Sequence, residues 1–119
     1  MKLLVVDDAK LVHFMVKKIL LAKGLSTIEF EDAFDGNEAI WIAKKFEPDL
    51  ILMDIVMPEK DGIQALKEIK EINPNVKVVM VSSMGTEDKV AQALKYGAAS
   101  FIQKPFDSDE LYDLVSKSL

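Results

Sequence analysis

Apolar and polar positions along this chain follow two periods. Uninterrupted apolar runs at 3–6, 50–53, 78–81 and 101–102 have the character of strands buried on both faces of a parallel sheet. Stretches with helical spacing lie between them, and five such alternations predict repeated βα units. Strands are expected near 2–6, 27–33, 49–53, 77–81 and 100–103, and helices near 9–23, 37–46, 62–72, 86–96 and 108–118. Turn residues separate them at Gly24, Asp35-Gly36, Glu47-Pro48-Asp49, Asn73-Pro74-Asn75 and Gly97. Asp107 is the expected N-cap of the last helix, with Glu110 as its capping-box partner. Right-handed crossovers turn this order into one doubly wound α/β domain over 1–119, with a five-stranded parallel sheet and five helices.

The first helix carries two apolar stripes. Val12, Met15, Val16, Ile19 and Ala22 follow the i, i+3, i+4, i+7 rule and are expected to face the sheet. Leu11, Phe14 and Leu21 share another side, either flanking the core under neighbouring loops or forming a docking surface for a partner. In the second helix Ala39, Ala43 and Phe46 define the inner face. Trp41 then points nearly opposite, either lying over helix stems or making an external contact.

Each apolar run ends on polar chemistry. The first leads to Asp7 and Asp8, the second to Asp54, the third to Ser82 and Ser83, and the last through Gln103 to Lys104. Ligands of open α/β sheets bind beyond the carboxyl ends of the strands, so these groups are expected at one rim. Three carboxylates drawn together repel one another and call for a cation. Oxygen ligands without His or Cys suit a hard ion such as Mg²⁺, with Mn²⁺ as a substitute. Lys104 adds a compact positive charge and Ser82 a hydroxyl donor. A carboxylate such as Asp54 can act as a nucleophile and form an aspartyl phosphate, and it needs no base to be ionised at neutral pH.

Composition narrows the classes. The chain has 119 residues, half of them hydrophobic and 29% charged, which is globular rather than disordered. It has no cysteine, and so no disulfide framework or thiolate metal site. No apolar run approaches a membrane span. Strand-like sequence next to Met1 leaves no room for a signal peptide, so a cytoplasmic location is expected. A net charge of −5 argues against direct nucleic-acid binding, which needs a basic footprint.

Four ordered motifs, LLVVDD at 3–8, PDLILMDIVMPEKDG at 48–62, VVMVSS at 78–83 and GAASFIQKPF at 97–106, span nearly the whole chain. With them the chain resembles the receiver domain of two-component response regulators, of the stand-alone, chemotaxis-regulator (CheY-like) kind. The resemblance implies a flavodoxin-like sheet of order 2-1-3-4-5. It implies Asp54 as phosphoacceptor, Asp8 and Asp54 as direct Mg²⁺ ligands, Asp7 acting through water, and the Val56 main-chain carbonyl completing the set. It also implies that Lys104 pairs with the phosphoryl group across a cis Lys104–Pro105 bond. Ser82 and Phe101 resemble the family's switch pair, although Phe101 also reads as a plain core phenylalanine. Val56 and Met84 match positions that border the phosphoryl group. Both are apolar and neither can orient a water, so a long-lived phosphoryl-aspartate is expected.

The function implied is a phosphorylation-activated switch. The phosphoryl donor would be a histidine kinase or histidine phosphotransfer protein. The output would be a protein target on the face of the fourth helix, fifth strand and fifth helix, with the chain a monomer or a phosphorylation-dependent homodimer. Two alternatives remain open: a receiver belonging to a longer regulator with a DNA-binding or enzymatic output domain, and an aspartyl-phosphate phosphatase of the haloacid-dehalogenase type. The latter wants a second acid two residues after the nucleophile, where this chain has Val56. The single histidine, His13, is either a phosphodonor or a residue of the helix surface.

Overall fold

The computed structural model describes residues 1–83 and 86–118. Five parallel strands, β1 (Lys2–Val6), β2 (Glu29–Ala33), β3 (Leu50–Met53), β4 (Lys77–Ser82) and β5 (Ser100–Gln103), alternate with five helices. These are α1 (Lys10–Ala22), α2 (Gly36–Phe46), α3 (Gly62–Ile72), α4 (Glu87–Lys95) and α5 (Ser108–Ser116). The sheet order is β2-β1-β3-β4-β5, as the resemblance implies.

The pleat sorts each central strand into two cores. Leu3, Val5, Leu50, Leu52, Val79, Val81 and Ile102 meet Val16 and Leu20 of α1 and Leu111 and Val115 of α5. Leu4, Val6, Ile51, Met53, Val78 and Met80 meet Ala39 and Ala43 of α2, Leu66 and Ile69 of α3 and Ala93 of α4. Alternate residues point to opposite faces, so an all-apolar strand is what a sheet covered on both sides requires. Each fully buried Leu or Ile here contributes about 1.5–3 kcal/mol relative to exposure.

Three local expectations change. The second strand starts at Glu29 rather than 27. It is an edge strand that pairs with β1, with Glu29 opposite Lys2 and the Glu29 N–H donating to the Met1 carbonyl at 2.9 Å. Asp107 does cap α5, but it accepts from the Asp109 N–H rather than sharing a reciprocal box with Glu110. The inner face of α1 is rotated from its apolar stripe: Met15 and Ala22 are exposed, while Leu20 and His13 are buried.

Candidate functional site

The strand register builds the rim. Val6 pairs with Met53, Met53 with Met80, and Met80 with Phe101. Asp7 and Asp54 therefore leave β1 and β3 one step beyond the same row, and the Asp54 N–H donates to the Val6 carbonyl at 2.9 Å. Adjacent strands lie about 4.8 Å apart. Asp7, Asp8 and Asp54 accordingly bring carboxylate oxygens within 4.8 Å of one another. Asp7 and Asp54 are buried, and Asp8 faces solvent.

Lys104 crosses from β5. Its backbone N–H donates to the Ser82 carbonyl at 3.0 Å, which carries the β4–β5 pairing one residue past Gln103. From there its ammonium reaches Asp7 Oδ2 at 2.5 Å and Asp54 Oδ2 at 3.5 Å. The Lys104–Pro105 bond is cis. Asp7 Oδ1 accepts the Ala9 N–H at 2.9 Å, and Asp54 Oδ1 accepts the Ile55 N–H at 2.8 Å.

Burial pushes the Asp54 carboxyl above the usual carboxylate range. The neighbouring Asp7 charge adds to that push, while the Lys104 ammonium and hydrogen bonds from the Ile55 N–H and Ser82 hydroxyl oppose it. Asp54 is thus a buried acid surrounded by groups that favour its anion, and burial prevails.

The donor set fits a hard divalent ion. It is all carboxylate, and charge repulsion within it is only partly relieved by one lysine. Asp7, Asp8 and Asp54 would hold such an ion, with the Val56 carbonyl on the loop that follows.

Two glycines fold that loop. A Cβ on Gly62 would stand 1.8 Å from the Asp54 carbonyl oxygen, and the Gly62 N–H donates to the Ile55 carbonyl at 2.7 Å. A Cβ on Gly36 would stand 2.2 Å from the Lys60 carbonyl oxygen, which accepts the Gly36 N–H. The chain can return onto the acid only because neither position carries a side chain.

The remaining expected residues fall as follows. Ser82, the last residue of β4, is buried. Phe101, half-buried, packs against the core on the α2, α3 and α4 side, the face that Ser82 shares by parity with Met80. Leu11, Phe14 and Leu21 are exposed on α1, Phe14 by 62%. Val56 is 56% exposed at the rim, and Met84 lies outside the described residues. Trp41 lies outward as its spacing predicts, 58% exposed, with the Lys45 ammonium 3.7 Å over its ring.

His13 is the residue that the sequence reading missed. It is buried, neither phosphodonor-like nor on the helix surface. Its Nε2 lies 2.7 Å from the Asp7 carbonyl oxygen and its Nδ1 2.7 Å from Asp32 Oδ1. The only signal available was a polar residue beside the apolar stripe, and its partner is nineteen positions away.

A 2-1-3-4-5 doubly wound sheet, with an acid cluster and a lysine at its carboxyl rim, is the arrangement of CheY-like proteins. The response regulator receiver domain family matches residues 3–116, and the chain belongs to it. It is 42% identical over 118 residues to the chemotaxis protein CheY of Bacillus subtilis, covering 99% of this chain and 97% of that one. It is 35% identical to the sporulation initiation phosphotransferase F of the same organism, covering 99% of this chain and 93% of the relative. Among solved structures, CheY in the CheX–CheY–BeF₃–Mg²⁺ complex of Borrelia burgdorferi superposes with a TM-score of 0.90 at 33% identity, covering 98% of this chain and 87% of that one. The chain is therefore a receiver domain of two-component signalling. Among the described residues, no helix is long and apolar enough to cross a membrane.

Proposed function

We propose that this protein is a phosphorylation-activated switch that accepts a phosphoryl group on Asp54 from a histidine kinase or histidine phosphotransfer protein. The observation that carries the reading is the meeting of Asp7, Asp8 and Asp54 with the Lys104 ammonium at one rim. An Asp54 carboxylate oxygen forms the new P–O bond as the donor's P–N bond breaks, and the released imidazole takes a proton from solvent. Phosphoryl transfer needs positioning and charge neutralisation more than covalent help. Lys104 neutralises one phosphoryl oxygen, and the Ser82 hydroxyl donates to another. A bound Mg²⁺, held by Asp7, Asp8, Asp54 and the Val56 carbonyl, supplies the remaining positive charge. Water attack on phosphorus later restores the carboxylate and releases inorganic phosphate. Val56 offers that water no polar group, which favours a long-lived phosphoryl state.

Ser82 moving toward the phosphoryl group would leave space for Phe101 behind it, and the common parity of the two residues supports the coupling. Phosphorylation then biases a two-state equilibrium that reshapes the face of α4, β5 and α5, where a protein target of chemotaxis-like signalling reads it. Leu11, Phe14 and Leu21, exposed on α1, the helix that starts at the acid rim, would dock the donor's helices. A phosphatase with its own substrate is disfavoured because Val56 stands where a second acid would be needed.

The test is intact-mass measurement after incubation with acetyl phosphate. One phosphoryl unit should be gained with Mg²⁺ and not gained in EDTA or by Asp54→Asn. An unmodified wild-type mass under donor and Mg²⁺ would refute the reading.

A further inference from the structure

Behind the acid rim lies a second polar cluster that phosphoryl chemistry does not use. His13, 4% exposed, is wedged between α1 and the ends of β1 and β2. The Asp7 carbonyl can only accept, so His13 Nε2 carries the proton of that bond. Nδ1 faces Asp32 Oδ1, and Lys17 donates to the other Asp32 oxygen at 2.6 Å. Burial pushes the Asp32 carboxyl up, but the hydrogen bonds from Lys17 and His13 outweigh it and hold Asp32 below the usual carboxylate range. The His13 ring also packs on Phe34, with centroids 4.4 Å apart. The imidazole therefore has no freedom of its own.

What it grips matters. The Asp7 carbonyl belongs to the peptide that joins Asp7 to Asp8. That unit is planar, so fixing the direction of its oxygen fixes the plane on which the Asp8 Cα is carried. Asp7 is held at every other polar group as well: its N–H by the Ala33 carbonyl, Oδ1 by the Ala9 N–H and Oδ2 by Lys104. Asp8, the exposed member of the acid set, has no comparable burial to place it.

We propose that His13 is a positioning residue: by donating Nε2–H to the Asp7 carbonyl, it fixes the Asp7–Asp8 peptide plane and preorganises Asp8 for the divalent cation. This rests on the reading of Asp7, Asp8 and Asp54 as a Mg²⁺ site. Lys17 and Asp32 serve as its anchor, so the chain Lys17–Asp32–His13–Asp7 ties the middle of α1 to the metal end of β1. A ligand that is already placed loses less freedom on binding, and one such hydrogen bond corresponds to roughly a three- to ten-fold change in affinity.

The test is calorimetric titration with Mg²⁺ alone, on wild type, His13→Phe and His13→Gln, with thermal unfolding in EDTA alongside. Phe keeps an aromatic ring and removes both ring nitrogens, whereas Gln keeps an amide donor near the Nε2 position. Mg²⁺ affinity should fall roughly three- to ten-fold in His13→Phe and return to within about two-fold of wild type in His13→Gln, even though Gln lacks the contact with Asp32. A purely structural role would lower the unfolding temperature of both variants and leave Mg²⁺ affinity unchanged, which would overturn the proposal. Equal losses in Gln and Phe would also overturn it. A wild-type chain that binds no Mg²⁺ would remove the metal-site reading first, and this one with it. Should His13→Phe not fold, the ring ¹⁵N signals of the wild type decide: the Nε2 signal should shift as Mg²⁺ is added, and a still signal while the Asp7 and Asp54 amides move would count against His13.

Discussion

Lys104 and Asp7 are 97 positions apart, yet the ammonium of one lies 2.5 Å from the carboxylate of the other, with Asp54 a further contact at 3.5 Å. One lysine thus answers two buried acids from two different strands. It is a counter-charge for the metal-free site and, in the proposed phosphorylation, would be the partner of the incoming oxygens. The two uses compete for the same ammonium, which makes Lys104 the natural place to separate metal binding from phosphoryl binding.

Lys104→Ala should therefore split the two properties. Removing a cation beside the acids should tighten Mg²⁺ binding about three-fold or more. The phosphorylation rate with acetyl phosphate should fall at least about ten-fold, because one neutralising group is lost. Without metal, the unpaired Asp7 carboxylate should cost about 1–3 kcal/mol in urea unfolding. Weaker Mg²⁺ binding in this variant would contradict the charge argument.

Asp54 gives a pH prediction whose sign follows from its raised carboxyl. Between its unfolded and folded values the native state holds more protons, so metal-free stability falls as pH rises through that window. Above the window the ionised, buried Asp54 is a standing cost. Asp54→Asn removes it, so in EDTA at pH 7 the variant should melt higher than wild type. The gap should narrow as pH falls through that window, and added Mg²⁺ should raise wild type more than the variant. Thermal scans across pH read all three.

Gly62→Ala probes the loop rather than the acids. The added methyl would fall on the Asp54 carbonyl oxygen, so the Asp54 backbone must move. A destabilisation of more than about 2 kcal/mol is expected, together with a drop in phosphorylation rate. Gly24→Ala is the control: its Cβ meets nothing within 4 Å, and only its positive φ is disfavoured. Chemical denaturation and donor kinetics on the pair distinguish crowding at the site from a general glycine effect.

Phe14→Ser separates docking from chemistry. Phe14 is exposed on α1 and contributes nothing to the acid cluster. Transfer from the cognate histidine donor should slow about ten-fold or more, the scale of losing a buried aromatic contact at an interface. The rate with acetyl phosphate should stay unchanged. Equal slowing with both donors would assign Phe14 to the fold instead.

The sheet was legible because both its faces are covered: a run such as LILM at 50–53 needs no partner information to be recognised as a buried strand. The rim acids were legible because strand ends in a parallel sheet share one edge. The orientation of α1 was not. Val12, Met15, Val16 and Ile19 form a good apolar stripe, but the helix turns so that His13 can reach the Asp7 carbonyl and Asp32, leaving Met15 in solvent. Apolar periodicity cannot register a polar side chain whose cost of burial is offset by partners elsewhere in the chain. The close approach of Gly62 to Asp54 was hidden for the same reason, since a turn glycine and a packing glycine look alike in sequence.

The central claim is that the Asp54 carboxylate itself takes the phosphoryl group. Borohydride reduction after treatment with acetyl phosphate and Mg²⁺ converts an acyl phosphate to an alcohol, and peptide mapping then locates it. The account predicts homoserine at position 54 and nowhere else. Reduction at Asp7 or Asp8, or a phosphorylated His13, would contradict it.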